Sequence, residues 1–208
     1  MRYLTIFLFI GSALFSSNYT PKSYDYLLGM PGFTNSALNL HFKIYQGYVK
    51  NTNDLLTKLD TIDSSTYEYG ALKRRLGWEF DGMRLHELYF DHLGGNGQSD
   101  KHSALFSAIV SQYGSYDAWK KDFVATGMIR GIGWVVLYYD PQADRLVNTW
   151  INEYDSGHLV TGSPIVIMDV FEHAYMPQFG LDRAAYISAF FANLNWKVAS
   201  SRYKMKAN

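Results

Sequence analysis

Met168-Asp169-Val170-Phe171-Glu172-His173-Ala174-Tyr175 is the stretch on which the reading of this chain turns. Ile165-Val166-Ile167 lead into it, a β-branched apolar run that predicts a buried strand with Asp169 at its end. A carboxylate and an imidazole four residues apart at such a place are costly to bury bare. The usual remedies are a paired charge or a metal ion. The plainer alternative is an Asp that hydrogen-bonds loop amides beside an unrelated His. The short D-x-x-x-H spacing alone favours that alternative, so the rest of the chain has to supply further ligands and a scaffold.

Working outward, residues 131–139 predict a strand, Asp140-Pro141-Gln142-Ala143-Asp144 turns it, and residues 145–151 return as its hairpin partner. Residues 163–169 supply a third strand, and residues 184–194 and 196–203 close the chain as helices. Residues 104–113 and 116–126 also read as helices, the second started by Ser115. Further upstream, Thr34 or Asn35 can cap a helix through Ala37, Leu38, His41, Ile44, Tyr45, Tyr48 and Val49, positions recurring at three and four. Leu55, Leu56 and Leu59 extend the pattern before Asp63-Ser64-Ser65 breaks it. A second helix covers residues 67–93, carrying His86 on its apolar side. Two long helices with a short connection form an antiparallel hairpin. Gly94-Gly95-Asn96-Gly97 marks a boundary between a helical-hairpin domain, residues 19–95, and an α/β domain, residues 96–208. The fold class is therefore α+β: an N-terminal antiparallel helical hairpin plus a C-terminal α/β domain with a small three-stranded antiparallel sheet.

The chain has 208 residues, 48% of them apolar and 17% aromatic, enough for one domain or two small ones with a substantial core. Lys+Arg and Asp+Glu both number 19, a balance that argues against a nucleic-acid partner or a polybasic membrane anchor. There are no cysteines, which removes disulfides, thiolate metal sites and cysteine nucleophiles together. At the N-terminus, Arg2 precedes the apolar stretch Tyr3-Leu4-Thr5-Ile6-Phe7-Leu8-Phe9-Ile10, followed by small residues. Residues 1–18 resemble an export signal, too short to span a bilayer, with cleavage expected near residues 13–18 and a periplasmic or secreted product. The alternative is a buried N-terminal segment in a cytoplasmic protein.

Six histidines are available: His41, His86, His92, His102, His158 and His173. A lone His on an apolar helix face is more often a satisfied core residue than a ligand. His41 and His86 on paired helices, together with Asp169 and His173, make a set of three imidazoles and one carboxylate. That composition suits Fe, Mn or Zn, and without thiolate it is typical of redox iron or manganese. His92, beside the glycines, and His102, in a polar segment, read as solvated.

The string D-V-F-E-H-A-Y resembles the D-V-W-E-H-A-Y signature of the iron/manganese superoxide dismutase family, with Phe171 in the Trp position. Asn39-Leu40-His41-Phe42-Lys43, followed by Gly47-Tyr48-Val49, resembles the first ligand helix, in which a ligand His precedes a gateway Tyr. Gly82-Met83-Arg84-Leu85-His86-Glu87-Leu88-Tyr89-Phe90 is similar to the second ligand helix, where an aromatic pair follows the His. Tyr113-Gly114-Ser115-Tyr116 and Gly131-Ile132-Gly133-Trp134 match F-G-S-F and G-S-G-W. Arg183 with Tyr186, and Asn195-Trp196, match the closing R-x-x-Y and N-W. The resemblance runs in order over residues 24–203. It implies disproportionation of superoxide to O2 and H2O2 at one Fe or Mn ion per chain, bound by His41, His86, Asp169 and His173. It also implies a homodimer or tetramer, with Glu172 bridging to His173 of the second subunit. Tyr48 would stand in the substrate funnel, where its plainer role is helix packing. Lys43 or Arg183 would attract the anion. Trp134 and Phe171 would wall the cavity, and Ile167, two residues before Asp169, would contribute to tuning the metal.

This chain departs from the family pattern in places. His41 stands seven residues before Tyr48, one fewer than usual, and an ungapped alignment would put Leu40 at the ligand position. A one-residue contraction is the better account, because both spacings keep His and Tyr on broadly the same side at ~100° per residue. Ile44-Tyr45 replace a family His, and Met176 replaces a second Tyr. In the family those two groups touch across the dimer, and losing both orphans neither. An amide or His normally bonds the solvent molecule beside the metal; Gly82 cannot, and His158 is assigned that role here, the alternative being a turn His facing water. Two other functions stay open: a non-catalytic relative kept for assembly or binding, and an oxygen-activating enzyme, which generally uses two His and one carboxylate.

Overall fold

Thr34 opens the first long helix by accepting a hydrogen bond from the Ala37 amide on its side-chain oxygen at 3.2 Å. The computed structural model describes residues 18–207, so most of the stretch read as an export signal lies outside the described residues. After a single turn at Asp25–Leu27, helix α1 spans Asn35–Leu59 and α2 spans Tyr67–Asp91, capped by Thr66. Leu38, His41, Phe42, Tyr45, Val49, Thr52 and Leu55 are buried along one stripe of α1, which is the face the spacing predicted. The α2 helix ends two residues short of the expected Leu93, because His92 leaves helical geometry at φ −111° and ψ 18°.

Gly82 decides how closely the two helices approach. A Cβ there would stand 2.6 Å from the Tyr48 ring, inside any tolerable contact, so the ring lies directly on the α2 backbone. The Gly94–Gly97 run is not a free hinge. The Gly95 amide donates to the Asn193 carbonyl at 2.8 Å and the Asn195 amide to that of His92 at 2.7 Å, tying the end of the hairpin to residues 193–195, just ahead of the last helix.

The remaining elements are α3 (Ala104–Tyr113), α4 (Tyr116–Gly127, capped by Ser115), β1 (Gly133–Asp140), β2 (Arg145–Asn152), β3 (Ser163–Asp169), α5 (Glu172–Phe179), α6 (Arg183–Ala192) and α7 (Trp196–Ala207). The strands form one antiparallel sheet in the order β2-β1-β3. The α+β architecture is the one the pattern predicted. Strand β1 begins at Gly133, not Gly131; a Cβ on Gly133 would fall 2.0 Å from the Ile151 carbonyl oxygen. Its register sets Trp134 opposite Asp169, so the central strand presents a large aromatic ring to the end of β3. Helix α5 had no counterpart in the sequence reading: it is short and carries Pro177 inside, both of which mask helical periodicity. It turns the chain at once after β3 and brings His173 back over Asp169. Among the described residues no helix is long and apolar enough to cross a membrane.

Candidate metal centre

Four donors converge where α1, α2, the end of β3 and the first turn of α5 meet. His41 Nε2 lies 3.0 Å from Asp169 Oδ2, His173 Nε2 2.9 Å and His86 Nε2 3.7 Å from the same oxygen. One donor atom from each residue lies within 4.8 Å of all the others. Two donors each about 2.1 Å from one ion stand about 3.0 Å apart at a right angle and about 3.6 Å at a trigonal angle. The observed separations suit a single ion among them. His41 points inward and is buried, while Leu40 is 44% exposed, so the one-residue contraction of α1 keeps the imidazole on the inner face.

The set is held from behind. The His86 Nδ1–H donates to the Gly82 carbonyl at 2.6 Å, which leaves the Nε2 lone pair facing the other donors. That nitrogen is fully buried and has no hydrogen-bond partner among the described residues. An orphan of this kind costs about 1–3 kcal/mol, and a bound cation is the partner that removes the penalty. Asp169 Oδ1 accepts the Phe171 amide at 2.8 Å. Its carbonyl accepts the Tyr186 hydroxyl at 2.6 Å, a support that the R-x-x-Y motif contains without announcing it.

The electrostatics keep the donors in ligand form. Burial pushes His86 down to about 3, with His41 beside it adding to the effect. Burial also lowers His41, against the pull of Asp169. Burial would raise Asp169, but the His173 and His41 contacts outweigh it and hold the carboxyl below its ordinary range. Neutral imidazoles and an ionised carboxylate are the forms that bind a metal.

Aromatic rings enclose one side. Tyr48 stacks on His86 at 5.3 Å, Trp134 meets His86 edge-on at 5.0 Å, and Phe171 stacks on His173 at 5.1 Å. The Tyr48 hydroxyl donates to Tyr154 at 2.7 Å. Burial pushes Tyr48 up to about 12 and raises Tyr154 further, Asp169 adding to both, so both phenols keep their protons at neutral pH. No motif singled out Tyr154; its only signal was a tyrosine in an acidic turn before β3.

Three expectations need correction. His158 is not beside the four donors. Its Nδ1 is 3.0 Å from the Tyr138 hydroxyl and its Nε2 2.7 Å from the Tyr154 carbonyl, with Asp81 at 3.4 Å. A loop that turns Tyr154 inward necessarily sends His158 toward α2. His92 is not solvated but fully buried, its Nδ1 donating to the Leu88 carbonyl and its Nε2 accepting from the Ile167 amide. Glycines following a helix do not expose it when the chain terminus packs back over them. Arg183 is a clamp: its guanidinium donates to the carbonyls of Gly127, Ile129 and Gly131 and to the Tyr175 hydroxyl. Lys43 and His102 are exposed, and so is Glu172 at the start of α5. Ile167 is buried opposite Val136.

The chain is similar to known proteins along most of its length. Residues 101–202 match the family model described as iron/manganese superoxide dismutases, C-terminal domain. The chain is 35% identical over 180 residues to a "Superoxide dismutase [Fe]" of Cupriavidus metallidurans, covering 84% of this chain and 90% of that one. It is 31% identical over 188 residues to "Superoxide dismutase [Mn] 2" of Haloferax volcanii (88% and 94% covered). It is likewise 31% identical over 181 residues to a "Superoxide dismutase [Fe]" of Saccharolobus solfataricus (83% and 86%). Helical hairpin, small antiparallel sheet and a three-His, one-Asp cluster thus coincide with similarity along most of the length, and the chain belongs to the iron/manganese superoxide dismutase family.

Proposed function

We propose that this chain is a superoxide dismutase, an oxidoreductase that converts two superoxide ions and two protons to O2 and H2O2. The observation that carries the reading is the convergence of His41, His86, Asp169 and His173 on one point, with the His86 nitrogen otherwise orphaned. Iron or manganese, one ion per chain, suits these donors. The chemistry such an ion supplies is one-electron, taking an electron from one superoxide and returning it to a second. Asp169 contributes a negative charge that favours the trivalent state, and burial keeps His41 and His86 neutral. Trp134, Phe171 and Tyr48 exclude bulk water from one side of the donors. Tyr48 and Tyr154 carry two phenolic protons to that side, where peroxide formation consumes protons.

Purified protein should contain close to one iron or manganese per chain and should speed superoxide decay. His86→Ala and Asp169→Ala should each abolish both. Decay that survives either substitution would end the dismutase reading, and a metal-loaded protein without decay would favour a binding relative of the same fold.

Two finer readings accompany this one. The chain works as a homodimer in which Glu172, exposed beside the partly exposed His173, reaches His173 of the second copy. Residues 1–18 direct export, which N-terminal sequencing of the product from a bacterial host would check by a start within or just after residues 13–18.

A further inference from the structure

Tyr154 packs beside His86 of the metal-binding cluster and against two of the rings that wall it. Its ring stacks on Phe171 at 4.5 Å, meets Trp134 at 6.1 Å and runs nearly parallel to His86 at 6.3 Å. The loop that carries it is set firmly. Glu153, at φ 53°, takes the left-handed conformation that non-glycine residues avoid, and the Asn152 amide donates to the Ser156 carbonyl at 2.7 Å. His158 holds the Tyr154 carbonyl from behind at 2.7 Å.

A phenol has one proton to donate. The Tyr48 and Tyr154 hydroxyls share one hydrogen bond at 2.7 Å but have two protons between them, and with the Tyr48 proton on the Tyr154 oxygen that of Tyr154 is left for a different acceptor. Among the described residues none takes it. Tyr154 is 1% exposed, so bulk water is not the acceptor either. Buried donors are satisfied as a rule, and the rings around this one include His86, Trp134 and Phe171, the same rings that surround the metal donors. We propose that the Tyr154 hydroxyl donates a hydrogen bond to the water or small anion that enters the open side of the metal site. This rests on reading the four donors as an iron or manganese site. Trp134 Nε1 is a second buried donor with no partner among the described residues, and it is the rival for the same role.

The test uses azide, a small anion, on the metal-loaded parent protein and on Tyr154→Phe, Trp134→Phe and Tyr48→Phe, with metal content and visible spectrum recorded for each. Tyr154→Phe should keep its metal and bind azide about tenfold more weakly, the loss expected for one hydrogen bond to a charged partner. Trp134→Phe should leave azide affinity close to that of the parent. Tyr48→Phe removes the donor to Tyr154 but not the Tyr154 hydroxyl, and should shift azide affinity by less than about threefold, well below the loss of a full hydrogen bond. The proposal fails if Tyr154→Phe binds azide as the parent does, or if the tenfold loss appears in Trp134→Phe or Tyr48→Phe instead. It also fails if the iron-loaded parent shows an intense phenolate-to-iron absorption that Tyr154→Phe lacks, since Tyr154 would then be a ligand. Should Tyr154→Phe not fold, the Tyr48→Phe and Trp134→Phe results still decide. None of these readouts needs turnover, so a parent that binds metal and azide but leaves superoxide untouched would overturn the dismutase reading alone.

Discussion

His92 shows how a single residue can govern acid stability away from the metal. Burial, with the Arg202 guanidinium beside it, pushes its imidazole down to about 3. An unfolded His titrates near ~6.5. Between those values the unfolded chain holds a proton that the folded chain refuses. The contribution of His92 is therefore fully present above about pH 6.5 and is lost as pH falls toward about 3, by at most about 1.4 kcal/mol per pH unit. His92→Gln can still donate to the Leu88 carbonyl and accept from the Ile167 amide without titrating. Thermal unfolding of the metal-loaded protein should fall more steeply from pH 6.5 to 4 in the parent than in His92→Gln. Parallel curves would show that His92 takes no part. The metal ligands are common to both proteins, so their own titration cancels in the comparison.

At the scale of elements, α2 owes its position to one glycine and merely tolerates another. A Cβ on Gly77 would meet nothing within 4 Å, whereas on Gly82 it would strike the Tyr48 ring at 2.6 Å. Helix propensity alone favours Ala over Gly by about 1 kcal/mol at either position. Gly77→Ala should therefore stabilise by up to that amount. Gly82→Ala should destabilise by about 1–3 kcal/mol, because overpacking outweighs propensity there. It should also push Tyr48 off His86 and weaken its hydrogen bond to Tyr154. Denaturant unfolding of the two variants checks the opposite signs; two stabilised proteins would mean that the α1–α2 crossing adjusts freely. In the same way Arg183 fixes residues 127–131 through three carbonyls, joining the end of α4 to the start of β1.

For the whole molecule, the metal cluster is also its assembly point: α1, α2, β3 and α5 each contribute one donor. In the homodimer proposed above, the residues at the start of α5 that face outward beside His173 form the seam between two copies. Glu172→Ala should shift sedimentation of the protein toward monomer and lower activity, because a ligand imidazole loses the partner that orients it. A parent protein that sediments as a fully active monomer would rule out the bridge. Tyr45 carries a related lesson. Where a family histidine would face the second subunit, this tyrosine is buried inside its own chain, with its hydroxyl 3.0 Å from Glu87 and accepting the Lys22 amide. Met176, at the other lost position, is 44% exposed.

What the sequence by itself determined is mainly what local rules decide. Thr34, Ser115 and the three-and-four spacing of apolar residues set helix positions to within a residue or two, since caps and amphipathic faces act over one or two turns. The three strands were legible from their β-branched and aromatic runs, and Asp169 followed as the end of the last. His41 and His86 were legible because each falls on a periodic helix whose inner face the spacing marks, and Asp169 and His173 because they follow directly on the last apolar strand run at a four-residue spacing. The tertiary structure decided everything in residues 153–162, which have no period. There the side that each residue faces depends on a left-handed turn at Glu153 and on contacts distant in sequence: the Glu153 amide on the Ile132 carbonyl and His158 on the Tyr138 hydroxyl. It sent Tyr154 inward, which nothing in the sequence had singled out, and turned His158 toward Asp81 and Tyr138 rather than toward the four donors. His92 and Arg183 were misjudged for the same physical reason. A polar side chain is buried or exposed according to which hydrogen-bonding partners the rest of the chain brings to it, and the Ile167 amide for His92 and the Ile129 carbonyl for Arg183 lie more than fifty residues away.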